Sequence, residues 1–402
     1  MEGGRAVLSA PPGSGKTTRV PLALLDAAWL AGQRILMLEP RRPAARMAAA
    51  RMARLLGEEL GETIGYQVRF ERRIGPRTRL QILTEGILTR RLQQDPELAG
   101  VGLLIFDEFH ERSLHADLGL ALALDVAAAL RPDLRLLIMS ATLDTQAAAQ
   151  ALGGAPIIRG EGRAYPVELV YAERSPGPDP VEAVVAGVRR ALVERPGDVL
   201  AFLPGAGEIE RTRSALARLA ADALDILPLH GSLSLAEQDR ALTPGPGGRR
   251  RIILATDIAE TSVTIEGIGV VVDCGLARKP RLQPSSGLTR LAIEPISRAS
   301  ADQRAGRAGR LGPGTCYRLW TRDQEAGRPD YRPAEILQAD LATLALDLAL
   351  WGVRDPSTLT WLDRPPAPAW GQAVGLLRDL GALDTTGTIT TLGRRMAEQA
   401  VH

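Results

Sequence analysis

Short apolar runs alternate with longer stretches of helical periodicity along the first 150 residues. Five runs predict buried strands, at residues 5–9, 34–38, 78–83, 103–107 and 134–140. The stretches between them predict helices, at residues 16–30, 42–56, 85–94 and 115–130. Strands that alternate with helices form a parallel sheet covered on both faces. The pattern therefore predicts an α/β domain over residues 1–160.

The same pattern restarts after residues 160–166, which are typical of a linker. Four further apolar runs predict a second set of buried strands, at residues 199–203, 225–229, 250–255 and 270–273. A second α/β domain of the same kind is therefore expected over residues 161–328.

The character of the chain changes after Tyr331. Residues 334–350 and 369–380 have helical periodicity, and residues 381–390 predict a short strand, a turn and another strand. Helices with a small β-wing indicate a winged-helix domain, so we expect one within residues 329–402.

Net charge, cysteine content and the length of apolar runs limit the functions that this protein can have. The net charge of +2 argues against a broad basic surface but allows a local Arg-lined groove. Cys274 and Cys316 stand far apart without nearby His pairs, so we expect no disulfide framework or metal cluster, and a cytoplasmic location fits. No apolar run has the length of a signal peptide or membrane span.

Lys16 is one of only two lysines among 49 basic residues; the other is Lys279. It lies in Ala10-Pro-Pro-Gly-Ser-Gly-Lys-Thr-Thr18, between a predicted strand and a predicted helix, which is the context of a phosphate-binding loop. A compact ammonium reaches nucleotide phosphates where a planar guanidinium is a poor substitute. Backbone N–H groups would cradle the phosphates, and the Thr17 hydroxyl would bind Mg²⁺. The predicted nucleotide contacts here are Gly13, Ser14, Gly15, Lys16, Thr17 and Thr18.

An acidic sequence, Asp107-Glu-Phe-His110, follows the apolar run at 103–106. Asp107, at the end of a buried strand, can hold Mg²⁺, and Glu108 beside it can polarise the attacking water. The candidate Mg²⁺ residues are therefore Thr17, Asp107 and Glu108. We expect His110 to couple this site to the other domain. Ser140 and Thr142 close the next strand and could relay the nucleotide state, although a capped turn explains them equally well.

Residues 303–310, Gln-Arg-Ala-Gly-Arg-Ala-Gly-Arg, are the second distinctive segment. If they are helical, Gln303, Arg307 and Arg310 project from one side. Two arginines could then act as arginine fingers on a nucleotide bound to the first domain, and Gln303 could position the water or the γ-phosphate. An Arg-rich surface helix is the alternative, which the two glycines disfavour.

Further polar segments follow the predicted strands at 34–38, 78–83 and 250–255. Hydroxyl, carboxylate and Arg side chains there could contact a nucleotide and the backbone of a single nucleic-acid strand, although helix caps and solvated arginines are alternatives. The candidate nucleotide contacts are Asp257 and Glu266. The candidate nucleic-acid contacts are Arg41, Arg42, Thr84, Gly205, Thr256 and Thr261.

Taken in order, these motifs resemble the DEAH-box helicases of superfamily 2, over most of the chain. The resemblance rests on residues 10–21, 38–42, 107–112, 140–142, 202–205, 229–233, 255–267 and 303–310. It implies two tandem RecA-like P-loop domains and a winged helix, with ATP or another NTP and Mg²⁺ in the cleft and RNA across the top. It also implies that Arg51 and Leu242 flank the base and that residues 278–295 form a strand-separating β-hairpin.

Two departures qualify the resemblance. Phe109 stands where the family name has Ala, which fits one bacterial subgroup. Relatives continue beyond the winged helix into a helical domain and an OB-fold, so we expect this chain to be a fragment, a truncated product or an incomplete sequence. The resulting prediction is an ATP-hydrolysing RNA helicase core. The alternatives are an RNA-stimulated NTPase that does not unwind, a nucleic-acid-binding protein with vestigial motifs, and DNA as the track.

Overall fold

The computed structural model describes residues 3–11, 13–141, 145–161, 165–175, 177–217, 224–244, 248–260, 265–283 and 288–399. Two parallel sheets with helices on both faces are followed by a small helical domain. In this part of the chain, no helix is long and apolar enough to cross a membrane. Both predicted α/β domains are present.

The first sheet has eight strands in the order β4-β3-β5-β2-β6-β7-β1-β8, and all neighbours except β3 and β4 are parallel. Its strands are β1 (Arg5–Ser9), β2 (Arg34–Glu39), β3 (Ile64–Val68), β4 (Glu71–Arg73), β5 (Leu80–Thr84), β6 (Val101–Phe106), β7 (Arg135–Ser140) and β8 (Ile157–Arg159). Its helices are α1 (Lys16–Leu24), α2 (Arg42–Leu56), α3 (Glu85–Gln94), α4 (Leu114–Ala129) and α5 (Thr145–Ala151). Every residue of β6 is buried, because a central parallel strand is covered on both faces.

The second sheet has six parallel strands in the order β11-β12-β10-β13-β16-β9. Its strands are β9 (Val167–Tyr171), β10 (Asp198–Phe202), β11 (Leu224–Leu229), β12 (Arg250–Ala255), β13 (Ile268–Asp273) and β16 (Gly314–Arg318). Strands β14 (Leu276–Gln283) and β15 (Leu288–Pro295) pair antiparallel, so the expected hairpin is present. The helices are α6 (Pro180–Glu194), α7 (Ala206–Leu216), α8 (Leu235–Leu242), α9 (Arg298–Ala305) and α10 (Arg322–Ala326).

The third domain contains α11 (Ala342–Trp351), α12 (Ala367–Asp379) and α13 (Thr391–Gln399), and a bridge between Leu383 and Ile389 stands where the wing was predicted. Apolar side chains of α11 and α12 share one core with β6 and α4 of the first domain. The third domain is therefore packed on the first.

Two predicted helices were too long. The first ends at Leu24, and residues 28–30 form a separate 3₁₀ turn, which closes where Ala31 and Gly32 take positive φ. The helix predicted at 334–350 starts only at Ala342. Glu335–Leu337 form a separate 3₁₀ turn, and the Asp340 carboxylate accepts a hydrogen bond from the Ala342 N–H at 2.7 Å.

Candidate nucleotide-binding site

The predicted phosphate loop lies between β1 and α1, at the carboxyl edge of the first sheet. Gly13 and Gly15 have φ of 84° and 88°, which glycine adopts without steric cost. Ala10 needs no such freedom; its N–H donates to the Ser140 carbonyl at 3.1 Å and continues the pairing of β1 with β7. This explains why Ala can stand at the first position of the loop. Lys16 begins α1 and is buried.

The acidic box lies directly against the phosphate loop. Lys16 Nζ is 3.0 Å from Glu108 Oε1 and 4.0 Å from Asp107 Oδ1. The Thr17 hydroxyl hydrogen-bonds to Asp107, which also accepts from the Glu108 N–H at 2.8 Å. Glu108 is held at φ 49°, an uncommon conformation for a residue with a side chain. The structure thus brings together Lys16, Thr17, Asp107 and Glu108, as predicted from the sequence.

Charge pairing fixes the ionisation of this cluster. Burial favours the neutral form of Glu108, but the ammonium of Lys16 and the imidazole of His110 outweigh it and lower the pKa of Glu108 to about 2. The two carboxylates likewise outweigh burial at Lys16 and raise its pKa. Glu108 is therefore a carboxylate and Lys16 an ammonium at neutral pH.

Glu39, at the end of β2, is a member of this cluster that the sequence argument missed. It is fully buried, and burial together with the charges of Asp107 and Glu108 raises its pKa well above the ordinary value. Burial also raises the pKa of Asp107, against the opposing charge of Lys16, so of the three carboxyls only Glu108 has a lowered pKa. The available signal was an acidic residue that closes an otherwise apolar run, 35–38.

Arg307 and Arg310 approach the same cluster from the second domain. Both interact electrostatically with Glu108, and a Cβ added at Gly13 would lie 3.9 Å from Arg310 Nε. Burial, together with the charge of Arg51, lowers the pKa of Arg310 to about 10. Arg51 of α2 therefore lies near the rim of this site, and its side chain is exposed.

Residues 303–310 are helical only in part. α9 ends at Ala305, so Gln303 is helical while Arg307 and Arg310 lie in the turns that follow. Gly306 and Gly309 weaken the helix there. At Gly309 a Cβ would lie 2.6 Å from the Tyr165 carbonyl oxygen, so glycine lets the turn pack against the segment that joins the two domains.

A cavity of about 260 Å³ lies where the three domains meet. Gln303 and His110 both line it, and His110 Nδ1 is 3.4 Å from Glu108 Oε2. His110 therefore stands between the acidic box and the second domain. Ser140 is fully buried at the end of β7, and Thr142 lies outside the described residues.

Arg41 and Asp257 form an ion pair across the domain interface. Arg41 Nη2 is 3.1 Å from Asp257 Oδ2 and 3.3 Å from Glu111 Oε2. Arg332 of the third domain is 3.8 Å from the same Asp257 oxygen. Burial at Asp257 is outweighed by these arginines, which lower its pKa. One carboxylate thus links all three domains, while its expected contact with a nucleotide stays a prediction.

The remaining predicted contacts are spread over both domains. Arg42 is exposed at the start of α2, Thr84 and Thr256 are half-buried at strand ends, and Gly205 is the N-cap residue of α7. Glu266 is exposed, and Leu242 packs in the core of the second domain. Thr261 lies outside the described residues. The roles expected of these residues stay predictions, as do the domain boundaries at 160 and 328.

Comparison with known proteins agrees with this geometry. Residues 1–151 match the DEAD/DEAH box helicase family, residues 182–312 the helicase conserved C-terminal domain, and residues 373–398 the winged-helix part of the helicase associated domain. The chain is 49% identical over 394 residues to the ATP-dependent RNA helicase HrpB of Escherichia coli (strain K12), covering 98% of this chain and 48% of the relative.

Two solved structures also match. The crystal structure of the Escherichia coli DEAH/RHA helicase HrpB aligns with a TM-score of 0.91 at 48% identity, over 98% of this chain and 50% of that one. The crystal structure of the E. coli DExH-box NTPase HrpB aligns with a TM-score of 0.86, also at 48% identity, over 98% of this chain and 48% of that one. The chain thus spans about half the length of the relatives it matches. The expected RecA-like and winged-helix domains and the expected bacterial subgroup are confirmed, and the chain belongs to the DEAD/DEAH box helicase family, beside the HrpB proteins.

Proposed function

We propose that this chain is the motor core of an ATP-dependent RNA helicase, which hydrolyses ATP between its two α/β domains and moves on or unwinds RNA. One observation carries the proposal. The Lys16, Asp107 and Glu108 cluster of the first domain meets Arg307 and Arg310 of the second in one buried site. Catalysis by charges from two domains couples hydrolysis to domain closure.

In this proposal, Lys16 exchanges its ion-pair partner Glu108 for phosphate oxygens when the nucleotide binds. Its ammonium is held by the Glu108 carboxylate at 3.0 Å, so phosphate oxygens that enter the loop replace one anionic partner with another. The helix N-terminus and the N–H groups around Gly13 and Gly15 supply further donors. Binding of the nucleotide would thereby release Glu108 toward the attacking water.

Mg²⁺ fits the donor set beside the loop. Asp107 Oδ2 is buried and makes no hydrogen bond within the described residues, and the Thr17 hydroxyl lies next to this carboxylate. Mg²⁺ is usually bound by one or two protein oxygens together with phosphates and water, so Thr17 and Asp107 suffice to hold it. The ion would neutralise charge on the β- and γ-phosphates.

Glu108 would act as the general base. Its carboxylate is ionised at neutral pH, as proton abstraction from water requires. Arg307 and Arg310 would stabilise the charge that develops on the transferring phosphoryl group. His110, in contact with Glu108 and at the wall of the central cavity, would report the state of the base to the second domain.

RNA is proposed to bind through its backbone, at Arg41, Arg42 and the strand ends that carry Thr84 and Thr256. Contacts of this kind position a strand without reading its sequence, and the affinity then falls steeply with salt. The protein would favour RNA over DNA only if it contacts the 2′-hydroxyl group, which DNA lacks. A cytoplasmic location, expected because the two cysteines are unpaired, is part of the same proposal.

ATP turnover with and without single-stranded RNA tests the proposal. We expect RNA to stimulate turnover, and Arg310→Ala to abolish the stimulated rate. Arg213→Ala is the matched control, because Arg213 is exposed and pairs only with Glu210 in the described structure. Strand displacement on RNA and DNA duplexes then separates a helicase from an NTPase that does not unwind. RNA-independent turnover, or full activity of Arg310→Ala, would contradict the proposal.

A further inference from the structure

A buried ion network lies in the second domain, next to the arginines of the site. Arg304 is 1% exposed and is held by Glu260 Oε2 at 3.0 Å and by Asp273 Oδ1 at 2.9 Å. Its guanidinium also lies 4.7 Å from the centre of the Phe202 ring. The Ser300 hydroxyl donates to Glu260 Oε1. Such a network is rigid because each buried charge is paired.

The two ends of Glu260 serve different partners. Its carboxylate receives Arg304 and Ser300, whereas its backbone carbonyl accepts a hydrogen bond from Arg307 Nε at 3.0 Å. The backbone of Arg307 is fixed as well, because its N–H donates to the Arg304 carbonyl at 3.1 Å. Both the main chain and the side chain of Arg307 are thus attached to the same pair of residues.

This attachment matters because of where Arg307 lies. The turns after α9 contain Gly306 and Gly309, whose backbones are the least restrained of any residue type. When a side chain that acts on a transferring phosphoryl group is misplaced by roughly 1 Å, the rate of the catalysed step falls about 10²-fold. Without a fixed point, Arg307 would have many orientations in the turn.

We propose that Glu260 and Arg304 are positioning residues for hydrolysis: together they form a clamp that holds the Arg307 guanidinium toward Glu108 and the phosphate loop. The inference rests on the proposed function, since it requires Arg307 to act on the nucleotide. Neither residue touches the nucleotide; both act through Arg307. The clamp also joins the segment after β12 to the segment after α9, so that the two move as one unit.

A double-mutant cycle tests the clamp. Glu260→Gln keeps the backbone carbonyl and the side-chain shape but removes one of the two carboxylate charges that hold Arg304; Asp273 remains. We expect it to lower kcat about 10²-fold at saturating ATP and single-stranded RNA, and to change the KM for ATP far less. In an Arg307→Ala background the same substitution should cause no further loss, because the group it positions is gone.

A second variant and a control keep the result interpretable if Glu260→Gln folds poorly. Ser300→Ala removes a single hydroxyl from Glu260 and should lower kcat several-fold, again only when Arg307 is present. Arg318→Met removes a buried guanidinium of the same domain, which pairs with Asp302 and Glu325, and should lower thermal stability while leaving kcat unchanged.

Three outcomes would overturn the inference. Equal losses of kcat in the wild-type and Arg307→Ala backgrounds would show that Glu260 acts independently of Arg307. Unchanged kcat in both Glu260→Gln and Ser300→Ala would show that the clamp has no effect on hydrolysis. A fully active Arg307→Ala variant would overturn the inference and the role proposed for Arg307 together, whereas additive losses leave the proposed function intact.

Discussion

Replacing Glu108 with Gln is expected to separate ATP binding from ATP hydrolysis. In the structure, Glu108 Oε1 receives the Lys16 ammonium at 3.0 Å, and both side chains are buried. Phosphate oxygens must take over Lys16 when ATP binds, so the ion pair opposes binding. Gln cannot form this ion pair and cannot accept a proton from water.

The magnitude follows from the contact. A hydrogen bond between charged groups contributes about 1.5–3 kcal/mol. Asp107, 4.0 Å from Lys16, still compensates part of the ammonium charge in the variant, so the lower end applies. A gain of about 1.4 kcal/mol is a tenfold tighter complex with a non-hydrolysable ATP analogue. Loss of the general base should lower the hydrolysis rate by about 10²–10⁴.

Fluorescence titration with a labelled non-hydrolysable ATP analogue and Mg²⁺ measures the affinity, and single-turnover phosphate release measures hydrolysis. Glu111→Gln is the control: Glu111 lies three residues further on and pairs with Arg41 instead of Lys16, so it should leave the affinity for the analogue unchanged. Weaker binding by Glu108→Gln would refute the exchange of partners at Lys16. Hydrolysis at the wild-type rate would refute Glu108 as the base.

Three further predictions concern other parts of the molecule. Arg310→Ala should lower single-turnover phosphate release by about 10³ while the affinity for the analogue changes little, since arginine fingers act on the transition state; a large loss of affinity would contradict this. Burial raises the pKa of Glu85 to about 8, so the folded state keeps a proton that the unfolded state releases above the ordinary pKa of Glu. The free energy of unfolding should therefore fall as the pH rises toward 8. Glu85→Gln should remove that fall in thermal melts, and an unchanged dependence of the melting temperature on pH would contradict the prediction. Trp351→Phe should cost about 1 kcal/mol of stability, measured by chemical denaturation, because its indole N–H donates to Asp125 of the first domain at 2.9 Å; an unaltered midpoint would show that the bond contributes nothing.

The site residues within each domain could be predicted from the sequence, because each motif is formed by residues that are close together in the chain. The phosphate loop requires Gly13 and Gly15 at positive φ immediately before Lys16, and the motif at residues 10–18 shows both glycines at these positions. The acidic box is visible because Asp107 follows a fully buried strand. Central strands of a parallel sheet have the same advantage, since burial on both faces leaves an uninterrupted apolar run.

Three of the four edge strands, β4, β8 and β9, were not predicted, nor were the inner strands β3 and β16, whereas the edge strand β11 was predicted. β8 and β9 lie at the borders of their sheets and are largely exposed, so they show no continuous apolar run. β4 consists of Glu71–Arg73, which composition alone assigns to a loop. Their place in the fold is decided by pairing with distant residues, and single-sequence periodicity does not record such pairing.

Contacts between domains were also invisible in the sequence. Nothing near Arg41 indicates that its partner is Asp257, 216 residues away. The partial helix over 303–310 is a related case: beyond the end of α9 the chain turns, and Gly309 packs closely against the Tyr165 carbonyl. Both arginines approach Glu108 from these turns, and for Arg307 the hydrogen bond to the Glu260 carbonyl fixes the side chain instead of helical spacing.

The third domain is attached to the first domain, which affects how the cleft between the first and second domains can close. Arg112, which ends the acidic box segment, pairs with Asp363 of the third domain at 2.8 Å, and the Glu335 carboxylate accepts from the Leu114 N–H at 2.8 Å. These contacts and the shared apolar core hold the third domain to the first. The second domain meets this pair through charged contacts such as Arg41 with Asp257, and Met47 of α2 packs against its apolar core. Because the first and third domains share an extensive apolar core, we expect closure on a nucleotide to move the second domain against a composite of the other two.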